Sequence, residues 1–291
     1  MLTGMCIFSG RSPALRVGHT RIFARRDGTR QILVYAMHLA APEDAAMILP
    51  LPVAPGAGED AVRLHDLSSV PDFFARLDRC LPTVGSVIVG AEARSRPKLP
   101  VQTVGAFEAS YVPSLGDFDR LDPRFRIPES VWQALPLYRD WGFAVFLFRP
   151  GAAEIHPIAL DFPTRVPDAL FFPTVHVHDG QVHERAVFDH TLYVQGLERI
   201  LQLDRVLEME PPRTARPQPR FVDRSEINPR ARFDGLPTGL VDLDGSVSRL
   251  WLQHNLLNTD VWLTTAAEPT VATVSMIADR RHPLARRPRR P

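Results

Sequence analysis

Residues 174–184 read Thr-Val-His-Val-His-Asp-Gly-Gln-Val-His-Glu, so His176, His178 and His183 surround an Asp-Gly dipeptide. Asp179-Gly180 suits a two-residue type I′ turn, whose central residues both need φ > 0. Alternating residues flank it. The stretch therefore predicts a β-hairpin with His178 opposite Gln181, Val177 opposite Val182 and His176 opposite His183. Side chains alternate faces along a strand. His176, His178, Gln181 and His183 would share one face and the valines the other. Three neutral imidazoles converging on one divalent transition metal suit zinc first, with a fourth position left for water or substrate. Copper, iron and nickel also accept imidazole, and only geometry chooses among them. Asp189 falls on the same face if the second strand runs without a bulge, as a further ligand or as the carboxylate that orients a histidine. His190 would then point to the opposite face. In a metalloenzyme the ion would activate water or polarise a carbonyl. The same alternation also describes an ordinary hairpin whose solvated imidazoles hold no ion.

Cys6 is the second candidate. Met5 precedes it, and removal of Met5 as initiator would leave a cysteine whose own α-amino group can serve as base for the thiol. N-terminal nucleophile hydrolases of the choloylglycine hydrolase type begin this way and carry a Phe-Gly-Arg-Asn segment further on. Residues 22–27, Ile-Phe-Ala-Arg-Arg-Asp, resemble it: Phe23 and Arg25 match, while Ala24 and Arg26 replace the glycine and asparagine. The resemblance implies an amidohydrolase with Cys6 as its catalytic nucleophile. The other expectation is a Cys6 packed in the first strand, apolar and inert. The His-x-His pair with a third ligand across the ladder is similar to the ligand arrangement of carbonic anhydrases and cupins, over the hairpin alone. A third class is a non-catalytic binding or scaffold protein.

Positioning these residues falls to a β-rich chain. Residues 31–38 and 46–53 alternate as strands, and Pro50 and Pro52 confine the second to an edge or an irregular end. Residues 70–81 carry apolar side chains at helical spacing, with Cys80 on the apolar side. Strands are expected at 86–89, 101–112, 154–161, 169–178 and 187–195, and short helices at 114–121, 129–135 and 197–206. Residues 143–148, Phe-Ala-Val-Phe-Leu-Phe, form a buried strand, too short and aromatic for a helix. Residues 211–220 are proline-rich, and such sequence makes an extended connector. Beyond it, 239–252 reads as a hairpin around Asp244-Gly245 and 261–264 as a further strand. The expectation is an α+β fold, predominantly antiparallel sheet with a few short helices. It divides into a β-rich core (1–210), a Pro-rich connector (211–237), a C-terminal β extension (238–278) and a disordered basic tail (279–291).

Composition excludes more than it assigns. Lys+Arg 34 against Asp+Glu 33 leaves a formal net charge of only +1, which makes no global case for nucleic acid or an anionic membrane as partner. No run approaches the ~20 apolar residues of a transmembrane helix. Two cysteines, Cys6 and Cys80, make no disulfide framework, and with no apolar leader the chain is expected to be cytoplasmic. There is no Walker loop, no dinucleotide fingerprint and no Gly-x-Ser-x-Gly, so no nucleotide cofactor is expected. Asp117, Asp119 and Asp122 sit in an amphipathic turn rather than a calcium loop. The partner class is open between a small molecule and a peptide. Residues 48–53, Ile-Leu-Pro-Leu-Pro-Val, and 143–161 with Pro157-Ile-Ala-Leu resemble the bacterial domain of unknown function 2330 over about the first two hundred residues. That resemblance implies a β-rich fold and no particular activity.

Overall fold

The computed structural model describes residues 6–9, 15–81, 108–121, 123, 126–154, 156–196, 222–226, 233 and 235–264. Its first long element is one that polarity conceals. β2 (Arg16–Asp27) carries four arginines, yet alternation buries Ile22 and Ala24 on one face and Phe23 on the other. A tight hairpin joins it to β3 (Arg30–Ala41), with Asp27 paired to Arg30. Gly28 takes φ +57 in the first loop position, the left-handed conformation that type II′ turns reserve for glycine. β4 (Ala45–Leu51) and β7 (Gly142–Phe148) then pair antiparallel along their whole length. β1 (Ile7–Phe8) lies on the other side of β4 and reaches only Met47 and Ile48. Pro50 therefore stands where β4 is locally an edge strand, which accommodates its missing N–H.

Two sheets follow from these pairings. The smaller runs β1-β4-β7-β6, with β6 at Glu108–Val112. The larger runs β12-β13-β11-β2-β3-β9-β5, formed by Val222–Glu226, Ser246–Leu257, Arg185–Gln195, β2, β3, Ile158–Pro163 and Arg63–Asp66; β8 (Gly151–Glu154) also pairs with β3. All of its pairings are antiparallel except β11 with β2. A two-stranded ribbon joins β10 (Ala169–Phe172) to β14 (Val261–Thr264). The fold is thus α+β and dominated by antiparallel sheet. The segment read as a C-terminal extension supplies β13, paired with β11 over that strand's whole length, and β14. Part of the connector forms β12. The expected strand at 86–89, the helix at 197–206 and the tail lie outside the described residues.

Three apolar layers hold the sheets. Between them, Ile22, Leu33, Met37, Met47, Phe146, Leu160 and Leu192 form the central core. The outer face of the smaller sheet, with Ile48, Phe143 and Val145, is covered by α2 (Glu129–Ala134), 3₁₀ turns at Leu115–Arg120 and Pro136–Asp140, and Trp262 of the ribbon. The outer face of the larger sheet, with Phe23, Val34 and Tyr193, is covered by α1 (Phe73–Asp78) through Phe73, Phe74 and Leu77. Asp78 fastens that helix, accepting from the Tyr193 hydroxyl at 2.7 Å and from Arg249 at 2.8 Å. No helix among the described residues is long and apolar enough to cross a membrane.

Candidate functional site

Residues 174–183 do not form the expected hairpin. After β10 the chain runs without regular strand, touches Ile7 of β1 through a parallel bridge at Val177, and bends at residues 178–180. The reason is competition for backbone partners. β13 takes one edge of β11 over its whole length and β2 takes the other over Thr191–Gln195, while residues 174–177 find their partners elsewhere. Residues 174–177 are instead clasped by side chains between β13 and β14. Asp260 accepts from Thr174 N at 2.7 Å and Val175 N at 3.1 Å. Asn258 accepts from His176 N at 2.7 Å and donates to the carbonyls of His176 (2.9 Å) and His183 (3.0 Å). Val177 N donates to Cys6 O and Phe8 N to Val177 O, which ties the same stretch to β1.

This path separates the histidines that the hairpin would have united. His183 is exposed and pairs with Asp179 at 2.8 Å. His176 turns inward, with its ring centroid 5.8 Å from that of His178. His190, which strict alternation sends away, is the residue brought in: its Nε2 lies 3.4 Å from His176 Nε2, and both rings contact Phe188. Asp189 faces the other side of β11 and accepts from His19 N at 2.6 Å, at the bulge between Gly18 and Arg21 where His19 has φ +51. The expected constellation of His176, His178, His183 and Asp189 is therefore not assembled. Among the described residues no group of three or more His, Cys, Asp or Glu side chains is placed to hold a metal ion. The signal for His190 was its two-residue spacing from Phe188 on an inward face, legible only once β11 is known to pair with β13.

Burial sets the electrostatics. His190 is fully buried and His176 is 7% exposed. Desolvation holds both imidazoles well below their usual range, reinforced at His176 by His190 and His178. Asp260 is also fully buried; desolvation pushes its carboxyl up to about 6, against the hydrogen bonds from Tyr138, Thr174 and Val175. Cys6 lies in the central core, hydrogen-bonded to the Tyr35 hydroxyl. Burial raises its thiol far above the ordinary value, more than the Tyr35 contact lowers it. Tyr35 is raised in turn, chiefly by burial and then by Cys6. A thiol so placed has little thiolate to offer as a nucleophile. Of the segment likened to the hydrolases, Phe23 packs under α1 and Arg25 donates to Gly239 O. Neither is brought to Cys6.

A second histidine–carboxylate contact lies on β5 and β9. His65 Nε2 is 2.7 Å from Asp161 Oδ2, and Arg30 binds the other carboxylate oxygen. Arg30 also donates to Ala61 O at 2.8 Å, so the group anchors the edge strand to the sheet. Arg165 binds the carbonyls of Val53 and Asp140, where it holds loops together rather than offering a free anion site.

No family model and no curated protein matches the sequence. Among solved structures the chain is similar to baculovirus P35, at 12% identity over 89% of this chain and 99% of that one, with a TM-score of 0.47. It is similar to P35 in the caspase-8/P35 complex at 12% identity over 85% and 96%, TM-score 0.41. A mutated baculovirus P35 after caspase cleavage matches at 12% identity over 84% and 98%, TM-score 0.40. Every one of these TM-scores lies below 0.5, and no residue role or activity passes from these proteins to this chain.

Proposed function

We propose that the chain is a non-catalytic protein that acts by binding another protein. The observation that carries this reading is the fate of its reactive side chains. Cys6, His176 and His190 are turned into the interior, spent on one another or on Tyr35, and held in their neutral forms by burial. General acid–base and nucleophilic work needs the opposite, groups within reach of a substrate and poised near the working pH. A protein partner is supported by the sheets themselves. Among the described residues the smaller sheet ends in β1 and β6 and the larger in β12 and β5, and an edge offers outward N–H and C=O groups to an extended segment of another chain. On β5, Leu64 stands 44% exposed beside the exposed Arg63.

The test is a binding measurement paired with elemental analysis, on protein purified without a histidine tag. Caspase-8, the partner in one of the weakly similar structures, is a convenient first probe, followed by capture from cell extract and calorimetry with whatever is retained. A stable complex that survives Cys6→Ser and His183→Ala supports the reading. A stoichiometric metal, or a hydrolytic activity abolished by Cys6→Ser, overturns it in favour of the metalloprotein or the cysteine amidohydrolase.

A further inference from the structure

The two buried imidazoles leave one question that geometry answers: which nitrogen holds the proton between them. Neutral histidine has one donor and one acceptor nitrogen. The backbone N–H of Asp189 donates to His190 Nδ1 at 3.2 Å. A peptide N–H has no lone pair to offer, so Nδ1 is the acceptor and His190 must carry its hydrogen on Nε2. That hydrogen faces His176 Nε2 across 3.4 Å, with the ring planes 14° apart. His176 Nε2 is then the acceptor, and its own hydrogen resides on Nδ1.

We infer that His176 and His190 form a single-proton lock, His190 Nε2–H donating to His176 Nε2, which fastens the irregular segment 174–178 to β11. The lock stands where the hairpin would have been. Residues 174–178 have no backbone ladder to β11, so this contact is their side-chain tie to that strand, while Asn258 and Asp260 tie them to the turn before β14. Phe188 packs on both rings, with centroids 4.3 and 4.7 Å away. His178 lies against His176 on one side and against Phe8 on the other, and so continues the lock toward β1. Exclusion of water by these rings keeps the donor from being satisfied elsewhere. One proton shared between the two facing nitrogens also sets a polarity. A third hydrogen on His176 Nε2 would oppose N–H to N–H, and one on His190 Nδ1 would oppose the Asp189 amide, the Asp189 carboxylate standing further off at 3.9 Å.

Site-specific nitrogen NMR of the histidine-labelled, full-length chain at neutral pH tests the assignment directly. The expected result is His190 in the Nε2–H form and His176 in the Nδ1–H form, with a coupling across the hydrogen bond between the two Nε2 atoms. His190 in the Nδ1–H form, or no coupling with both Nε2 atoms unprotonated, overturns the lock. Hydrogen exchange supplies the second arm. His190→Phe keeps an apolar ring and deletes the donor, and amide exchange at His176 and Val177 should accelerate about tenfold, the loss of one net hydrogen bond, while Val145 in β7 stays protected. Exchange at His176 and Val177 unchanged within about twofold also overturns it. If His190→Phe does not fold, the tautomers of the unaltered protein decide the matter alone.

Discussion

Cys6 shows how far environment governs a single side chain. Its chemistry as a free thiol would be rapid alkylation near neutral pH, since the thiolate is the reacting species. Its place in the central core, 2% exposed and hydrogen-bonded to Tyr35, removes both access and charge. Cys80 is stilled differently: it is buried under α1 and its thiol donates to Arg76 O at 3.2 Å. Both thiols should therefore react with iodoacetamide at pH 8 more slowly than a model thiol, Cys6 by well over about tenfold, because each unit of raised pKa costs about a factor of ten in thiolate. Denaturant should restore the full rate at both. A fast native-state reaction at Cys6 would show that the thiol is presented as a nucleophile after all.

At the scale of elements, the informative contest is between two Asp-Gly sites. At Asp27-Gly28 the tight hairpin forms, with Asp27 paired to Arg30 and Gly28 and Thr29 as its loop. Asp179-Gly180 would have to supply both loop residues itself and makes no hairpin; β11 instead pairs with β13 along its whole length and with β2 over Thr191–Gln195. Gly180 takes a positive φ and Asp179 does not, so only half of the type I′ geometry is present and the pairing is absent. Asn258 occupies the position that a partner strand would have filled. Replacing it with alanine strips partners from His176 N, His176 O and His183 O, and should cost about 2–4 kcal/mol. Gln253→Ala, at an exposed site on β13, should stay within about 0.5 kcal/mol. Urea denaturation midpoints at constant m-value check both. Equal costs would mean that the clasp contributes nothing.

For the whole molecule, buried titratable groups set the acid response, and they pull in opposite directions. His176 and His190 have folded pKa values below the unfolded value near 6.5. The unfolded chain gains their protons first, so the stability they contribute is present above about pH 6.5 and is lost as pH falls. Asp260 is raised from 3.8 to about 6. The folded chain gains that proton first, so its contribution grows as pH falls through about 6 and is complete below 3.8. Below about pH 6 the two histidines and Asp260 therefore act in opposition, the histidines lowering the unfolding free energy as pH falls and Asp260 offsetting part of that loss. Asp260→Asn removes the opposing contribution and should make the loss of stability on acidification steeper. Asp66, Asp117 and Asp179, held low by their own hydrogen bonds, enter only near and below pH 4. An unchanged slope in the Asp260→Asn protein, with folding intact, would sink this assignment.

Alternation and apolar runs determine by themselves that this chain is mostly strand. β3, β4 and β7 are legible because each pairs a buried face with β-favouring residues, and the resulting antiparallel α+β class needs no long-range information. β2 is hidden by its arginines, whose charges are carried away along flexible stems to Gly239 O and Ala169 O. Such anchorage cannot be read from spacing. The candidate site was legible only in part. His176 and His178 do lie side by side, as two residues on one face of a short extended segment must. Whether His183 or His190 joins them was decided by the tertiary structure alone. Turn propensity offers β11 one local neighbour, whereas the folded sheet offers it β13 along its whole length and β2 over Thr191–Gln195. The larger number of backbone hydrogen bonds wins, and it takes the third histidine with it.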